Sequence, residues 1–225
     1  MKIKMTTKMK MKTKRRKTRQ YNHRKNNMTK KNYIQTLQTL YPKCKHDDTS
    51  EHCNYDGHKI TYGEMEYDGI QQLYSIITDK YNTNIDCFMD IGSGRGKLCM
   101  FMAAQPKIKH VLGVELVEKR HQDAENLKSK LTSSYANKVE LLNENIFNVN
   151  LREHSGENVF VWFSNLCFDQ ANIELIFKKF TEELPSGSII CCSKKPDSNT
   201  GLNFLETIKI PMSWSKESNV YMYKT

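Results

Sequence analysis

Residues 85–105 constrain the fold of this chain more than any other stretch. Ile85-Asp86-Cys87-Phe88-Met89 is an apolar run of the length of a buried strand. It leads into Asp90-Ile91-Gly92-Ser93-Gly94-Arg95-Gly96, and Lys97 to Gln105 follows with Leu98, Phe101 and Met102 at helical spacing. Strand, glycine-rich turn and helix in that order open a βαβ unit. The glycines allow a tight turn and a close approach of backbone to a ligand. Asp90 falls at the carboxyl end of the strand, where open α/β sheets bind ligands.

The spacing selects among ligands. A nicotinamide fingerprint would want glycine at position 97, and the residue is lysine. Asp-x-Gly-x-Gly-x-Gly instead resembles motif I of class I methyltransferases, which bind S-adenosylmethionine. A second apolar run, Val111-Leu112-Gly113-Val114, ends at Glu115, placed to accept both ribose hydroxyls of an adenosyl group. A structural glycine turn in an ordinary α/β domain is the competing reading, and the two halves together favour the adenosyl ligand.

The 225 residues suffice for one domain and an appendage, and no 18-residue apolar run is present to span a membrane. No secretory signal is expected, because no apolar stretch follows the charged N-terminus. Seven cysteines at irregular spacing fit free thiols in a reducing compartment. The net charge of +10 is unevenly placed. Residues 1–31 hold 14 of the 35 Lys and Arg and no acid, leaving 21 basic and 25 acidic residues in the rest. The body is thus mildly acidic and the basic character belongs to the tail. Residues 1–31 are expected to be a disordered arm that binds nucleic-acid phosphates through Lys12, Lys14, Arg15, Arg16, Lys17 and Arg19. A nuclear import signal and plain compositional drift are the alternatives; a mitochondrial presequence would need an apolar face that is missing.

Residues 32–84 read as a helical segment and loop ahead of a core at 85–225. An amphipathic helix is expected from Asn32 to Tyr41, with Ile34, Leu37 and Tyr41 inward, ended by Pro42. Cys44, His46, His52 and Cys53 suggest zinc, but their order matches no common finger spacing, and a polar linker without metal is preferred. Tyr62-Gly63-Glu64 precedes a second amphipathic helix with Ile70, Leu73, Tyr74 and Ile77 on one face, expected to pack beside the first strand. The loop before it would cover the ligand, with Glu64 toward its positive end. Beyond Glu115, a helix is expected from Glu118 to Tyr135 and a strand at 139–142. A turn follows in which Asn145 and Ile146 meet adenine or merely close the turn. Val159 to Phe163 is a fourth strand that delivers Ser164-Asn165-Leu166-Cys167-Phe168 to the same sheet edge as Asp90. Asn172 to Glu183 is a helix, Ser188 to Ser193 a fifth strand, and 208–211 with 220–223 an antiparallel pair. The fold class is α/β, a doubly wound, mostly parallel sheet with an antiparallel C-terminal hairpin.

Several short segments together resemble the disruptor-of-telomeric-silencing (Dot) family of histone-lysine methyltransferases, which lack a SET domain. They are Tyr62-Gly63-Glu64, Asp90 to Gly96, Gly113-Val114-Glu115, Asn165-x-x-Phe168, Ser193-Lys194, Leu202-Asn203-Phe204, and Ser213-Trp214 with Tyr221 seven residues on. They stand in family order over residues 62–223, and the short chain fits a compact member of the kind a virus would carry. The resemblance implies methylation of a lysine in the folded core of histone H3 on nucleosomes, with S-adenosylmethionine as cofactor and the nucleus as location. By motif, Tyr62, Gly63, Glu64, Asp90, Gly92, Gly94, Gly96 and Glu115 would hold the cofactor. Met65, Phe88, Ser93, Lys97, Asn145 and Ile146 are expected to complete its site. Asn165 would sit beside the methyl donor, with Ser193 near it, and Phe168, Trp214 and Tyr221 would line the lysine channel. The family usually has an acid at position 145 and glutamine at 97, and an insertion at 196–201 alters a loop by the channel.

A site of asparagine, aromatics and small residues suits the chemistry. In-line displacement from a sulfonium depends on positioning. The acceptor lysine must be neutral against a free pKa of ~10.4, and a desolvating aromatic channel lowers that value. The alternatives are an RNA or DNA methyltransferase of the same fold and an inactive adenosyl-binding module on chromatin. Base methylases often carry Asp/Asn-Pro-Pro-aromatic after the fourth strand, and residues 164–168 have no proline.

Overall fold

The computed structural model describes residues 29–41, 54–55, 58–59, 63–81, 84–131 and 134–225. Residues 1–28 of the basic arm, the Cys44, His46, His52 and Cys53 cluster and Tyr62 lie outside these residues, whereas Lys30 and Lys31, expected in a disordered arm, open the first helix because Thr29 caps it. The first helix, α1 (Lys30–Leu40), is capped by Thr29, whose side chain accepts from the Asn32 amide. Tyr33, Leu37 and Tyr41 are its buried positions, whereas Ile34 is half-buried. A small antiparallel pair follows, β1 (Asn54–Tyr55) with β2 (His58–Lys59). Next, α2 (Tyr67–Ser75) continues into a π-helical turn, Ile76–Lys80.

The core alternates strand and helix: β3 (Ile85–Ile91), α3 (Lys97–Ala103), β4 (Ile108–Glu115), α4 (Glu118–Ser129), β5 (Val139–Asn143), α5 (Leu151–His154), β6 (Val159–Phe163), α6 (Gln170–Glu183) and β7 (Ile189–Cys192). A hairpin of β8 (Asn203–Met212) and β9 (Ser215–Lys224) closes it. The seven strands lie in the order β5-β4-β3-β6-β7-β9-β8. Pairings from β5 through β7 are parallel; β9 is antiparallel to both of its neighbours. The chain order reverses at β3, so the crevice beyond its carboxyl end is the binding place for this topology.

Each face of the sheet is covered at its centre, which is why Cys87 to Met89, Val111 to Val114 and Val159 to Phe163 read as apolar runs. Phe88, Phe160 and Trp162 face one core with α1, α2 and α3; Met89, Val161 and Phe163 face the other with α6. Three expectations change. The helix expected to reach Tyr135 stops at Ser129, and a 3-10 turn at Ala136–Lys138 leads into β5; the Ser/Thr-rich run after Leu131 disfavours helix. The second amphipathic helix packs on β8 and α3 rather than beside the first strand. Gln72 Nε2 donates to the Lys209 carbonyl at 2.8 Å, and a Cβ on Gly69 would run into the Pro211 carbonyl. The hairpin strands are ten residues each, far longer than the two short segments expected. Among the described residues, no helix is long and apolar enough to cross a membrane.

Candidate active site

A cavity of about 730 Å³ opens beyond the carboxyl ends of β3, β4 and β6. Its floor is the glycine turn. Gly92, Gly94 and Gly96 have φ of 82°, 54° and 76°, values that L side chains rarely adopt. The turn is fixed from three sides. Gly92 and Ser93 donate to the Val114 carbonyl at 2.9 and 3.0 Å, and Gly94 N–H donates to Glu115 Oε2 at 2.7 Å. The Tyr41 hydroxyl donates to the Arg95 carbonyl at 2.9 Å, so the end of α1 buttresses the turn from behind.

Acids dominate the inner wall. Asp90 and Glu115 are 3% and 5% exposed. Burial pushes the Asp90 carboxyl up to about 7, against the hydrogen bond from Cys99, which lowers it, and with the Glu115 charge raising it further. The second oxygen of Glu115 accepts from Val117 N–H at 2.9 Å, so this carboxylate orders the turn and still has lone pairs facing the cavity. Glu64 closes the opposite side. It pairs with Lys97 at 3.1 Å, both nearly inaccessible, and Lys97 Nζ lies 4.7 Å from the Tyr67 ring centre.

The segment carrying Glu64 is joined to the hairpin turn. Glu64 N–H donates to Ser213 Oγ at 3.1 Å, Ser213 N–H donates to the Glu64 carbonyl at 2.8 Å, and Met65 bridges Met212. Trp214 lies so close on Gly63 that any Cβ there would enter its ring. Gly63, Glu64, Met65, Met212, Ser213 and Trp214 therefore form one continuous wall, built from two segments 149 residues apart in the chain.

Most of the expected residues converge. Gly63, Glu64, Met65, Asp90, Gly92, Ser93, Gly94, Lys97, Glu115, Asn145, Ile146, Phe168 and Trp214 all line the cavity. Asn145 also caps the 3-10 turn Ile146–Asn148 by accepting from Phe147 N–H at 3.1 Å. Others are placed differently. Phe88 lies deeper in the core and stacks on Phe160, ring centres 5.7 Å apart, so it supports the floor without reaching the cavity. Gly96 starts α3 behind the floor, with Ala124 against it. Asn165 is fully buried and spends its amide on backbone: Oδ1 accepts from Ser193 and Lys194 N–H at 2.9 and 2.8 Å, and Nδ2 donates to the Lys194 carbonyl at 2.9 Å. It clamps the end of β6 to the end of β7 instead of facing the cavity, and it holds Ser193 by its backbone. Tyr221, expected to line the lysine channel, is half-buried on β9 opposite Cys192 and does not line the cavity, because it pairs with the end of β7 rather than with the glycine turn.

Sequence reasoning missed Glu144, Phe147, Arg120, Leu166 and Lys194, all of which line the cavity. Phe147 and Leu166, 38% and 40% exposed, form an apolar rim with Trp214. Large apolar residues directly after two strand ends were the available signal.

The model of the histone methylation protein DOT1 family matches residues 41–220, a span that contains every residue lining the cavity. This chain belongs to the DOT1 family. One relative, the histone-lysine N-methyltransferase, H3 lysine-79 specific, of Caenorhabditis elegans, is 30% identical over 146 residues. The match covers 62% of this DOT1-family chain and 15% of that much longer protein. Two solved structures share the fold. An S-adenosylmethionine-dependent methyltransferase from Clostridium acetobutylicum ATCC 824 gives a TM-score of 0.53 at 15% identity, over 71% of this chain and 92% of its own. M. capricolum TrmK in complex with S-adenosyl-homocysteine gives 0.50 at 14% identity, over 71% of this chain and 67% of its own. The DOT1-family chain thus has the class I methyltransferase fold.

Proposed function

We propose that this protein is an S-adenosylmethionine-dependent histone-lysine N-methyltransferase that acts on a lysine in the folded core of histone H3 within the nucleosome. The observation that carries this reading is the meeting, in one cavity, of the acid-lined glycine turn with the Phe168 and Trp214 walls of a DOT1-family chain. The wall suits a cationic adenosyl ligand. Asp90, Glu115 and Glu64 supply three carboxylates, and Gly92 and Gly94 line the cavity without side chains. Gly63 to Met65, Asp90 to Gly94, Lys97, Glu115, Asn145 and Ile146 would hold it. When bound, it supplies an electrophilic methyl group on a sulfonium.

The chain's own task is then placement and desolvation. Phe168 and Trp214, with Tyr221 beside them, would present aromatic faces that admit a lysine stem and disfavour its charged form. They would still attract the methylated ammonium product. Phe168 is fixed edge-on to Phe163, ring centres 5.1 Å apart. Asn165 would act as a positioning residue through Ser193 and Lys194. The basic arm would meet the DNA around the H3 core, and the nucleus is the corresponding location.

The test offers nucleosomes, free histones, DNA and RNA in parallel to the full chain with labelled S-adenosylmethionine. Label on H3, strongest with nucleosomes, is expected. Label on nucleic acid alone would replace this reading with that of a base methyltransferase.

A further inference from the structure

Lys195 has no assigned role, and its surroundings are unusual for an exposed lysine. Its Nζ lies 4.7 Å from the ring centre of Phe204 and 4.8 Å from that of Tyr221. Both distances are within cation–π range. Among the described residues no carboxylate pairs with it. The two ring faces attract the ammonium without the fixed negative partner that a carboxylate would supply. Phe204 is 48% exposed, so the ring pair is open on one side.

The backbone here is fixed by its neighbours, and the Lys195 side chain is exposed. Asn165 holds Ser193 and Lys194, and Lys194 lines the cavity. Gln170 Nε2 donates to the Lys195 carbonyl at 3.3 Å, and Glu174 Oε1 accepts from Asp197 and Ser198 N–H at 2.6 and 3.1 Å. The strap thus anchors Lys195 one residue beyond the cavity wall, with its amine on the ring of Tyr221.

We propose that Lys195 is a self-methylation site, an internal acceptor lysine that uses the same methyl donor and aromatic wall as the external substrate. This rests on the lysine-methyltransferase reading above. The ammonium first gives a proton to water. The neutral nitrogen then attacks the methyl carbon, an N–C bond forms, the C–S bond breaks, and its electron pair stays on sulfur as a thioether. The product is a methylammonium, which the Phe204 and Tyr221 rings hold at least as well as the parent.

Two measurements test it on the full chain. First, the protein is incubated with S-adenosylmethionine, with and without nucleosomes, and its peptides are mapped by mass spectrometry. One added methyl on Lys195 is expected, lost in Lys195→Arg, whose cofactor affinity by calorimetry is unchanged. Second, amine acylation is followed without cofactor. Lys195 should react several-fold more slowly than exposed Lys178, and Phe204→Ala should erase that protection. Methylation of H3 with Lys195 unmodified, or methyl groups only on arm lysines, would overturn the self-methylation site and leave the enzyme reading intact. Label on neither H3 nor Lys195 would overturn both. Unprotected Lys195 in the acylation experiment would contradict the ring clamp itself.

Discussion

Burial holds the Asp90 carboxyl near a pKa of about 7, above the 3.8 of an unperturbed aspartate, so this residue links pH, stability and ligand binding. The neutral form is the one the empty site favours. Its contribution to stability is complete below about pH 4 and is lost as pH rises through about 7. Asp90→Asn should therefore be more stable to unfolding than wild type in ligand-free protein at pH 8, by on the order of 2–4 kcal/mol, with the difference vanishing toward about pH 4. Binding should respond oppositely. A cationic ligand favours the carboxylate, so affinity should fall below about pH 7, by at most roughly tenfold per pH unit, with proton release. Asp90→Asn should bind weakly with little pH dependence. Calorimetric titrations in buffers of different ionisation enthalpy check both statements, and a wild-type affinity that is flat with pH would contradict them. Gly94→Arg should fold and lose the cofactor, because the new side chain projects into the cavity.

Two joints between elements deserve mutation. Asn165→Ala strands two N–H groups and a carbonyl between β6 and β7. It should cost about 3 kcal/mol in denaturant unfolding and lower turnover more than cofactor affinity, since Phe168 and Lys194 lose their support. Gly63→Ala should push Trp214 off the covering segment and cut kcat/KM by about 10–100-fold, with smaller change in melting temperature. The regular elements were legible because burial on both faces leaves an unbroken apolar run at β3, β4 and β6, and because Gly92 to Gly96 announces its own turn. The hairpin was half-hidden. Register shifts at Phe204/Glu206 and Ile210/Met212 break the two-residue alternation of β8, and Pro211 interrupts it again. The π-helical turn of α2 and the inward turn of Asn165 had no sequence signature, since both are set by neighbours distant in the chain. Asn165 carries a family motif, yet its motif alone does not say whether its amide faces a ligand or the backbone.

At the scale of the whole molecule, charge separates into an acidic body and an arm with 14 basic residues in 31. Deleting residues 1–28, which spares Thr29 and α1, should leave S-adenosylmethionine binding intact, weaken nucleosome binding, and flatten the salt dependence. Each lost phosphate contact should remove roughly 0.9 from the slope of log affinity against log salt. A basic peptide of unrelated sequence in place of the arm should restore much of the loss. Equal nucleosome methylation by the truncated and full chains at physiological salt would reduce the arm to an address or to drift. The central claim is that the cavity transfers methyl groups to a lysine in the folded core of H3. Its most direct test maps methyl-lysine by mass spectrometry on H3 recovered from nucleosomes treated with wild-type protein and with Gly94→Arg. The expected result is modification within the histone-fold region by wild type alone. Methyl groups confined to the H3 tail, to the DNA, or present equally with Gly94→Arg would contradict it.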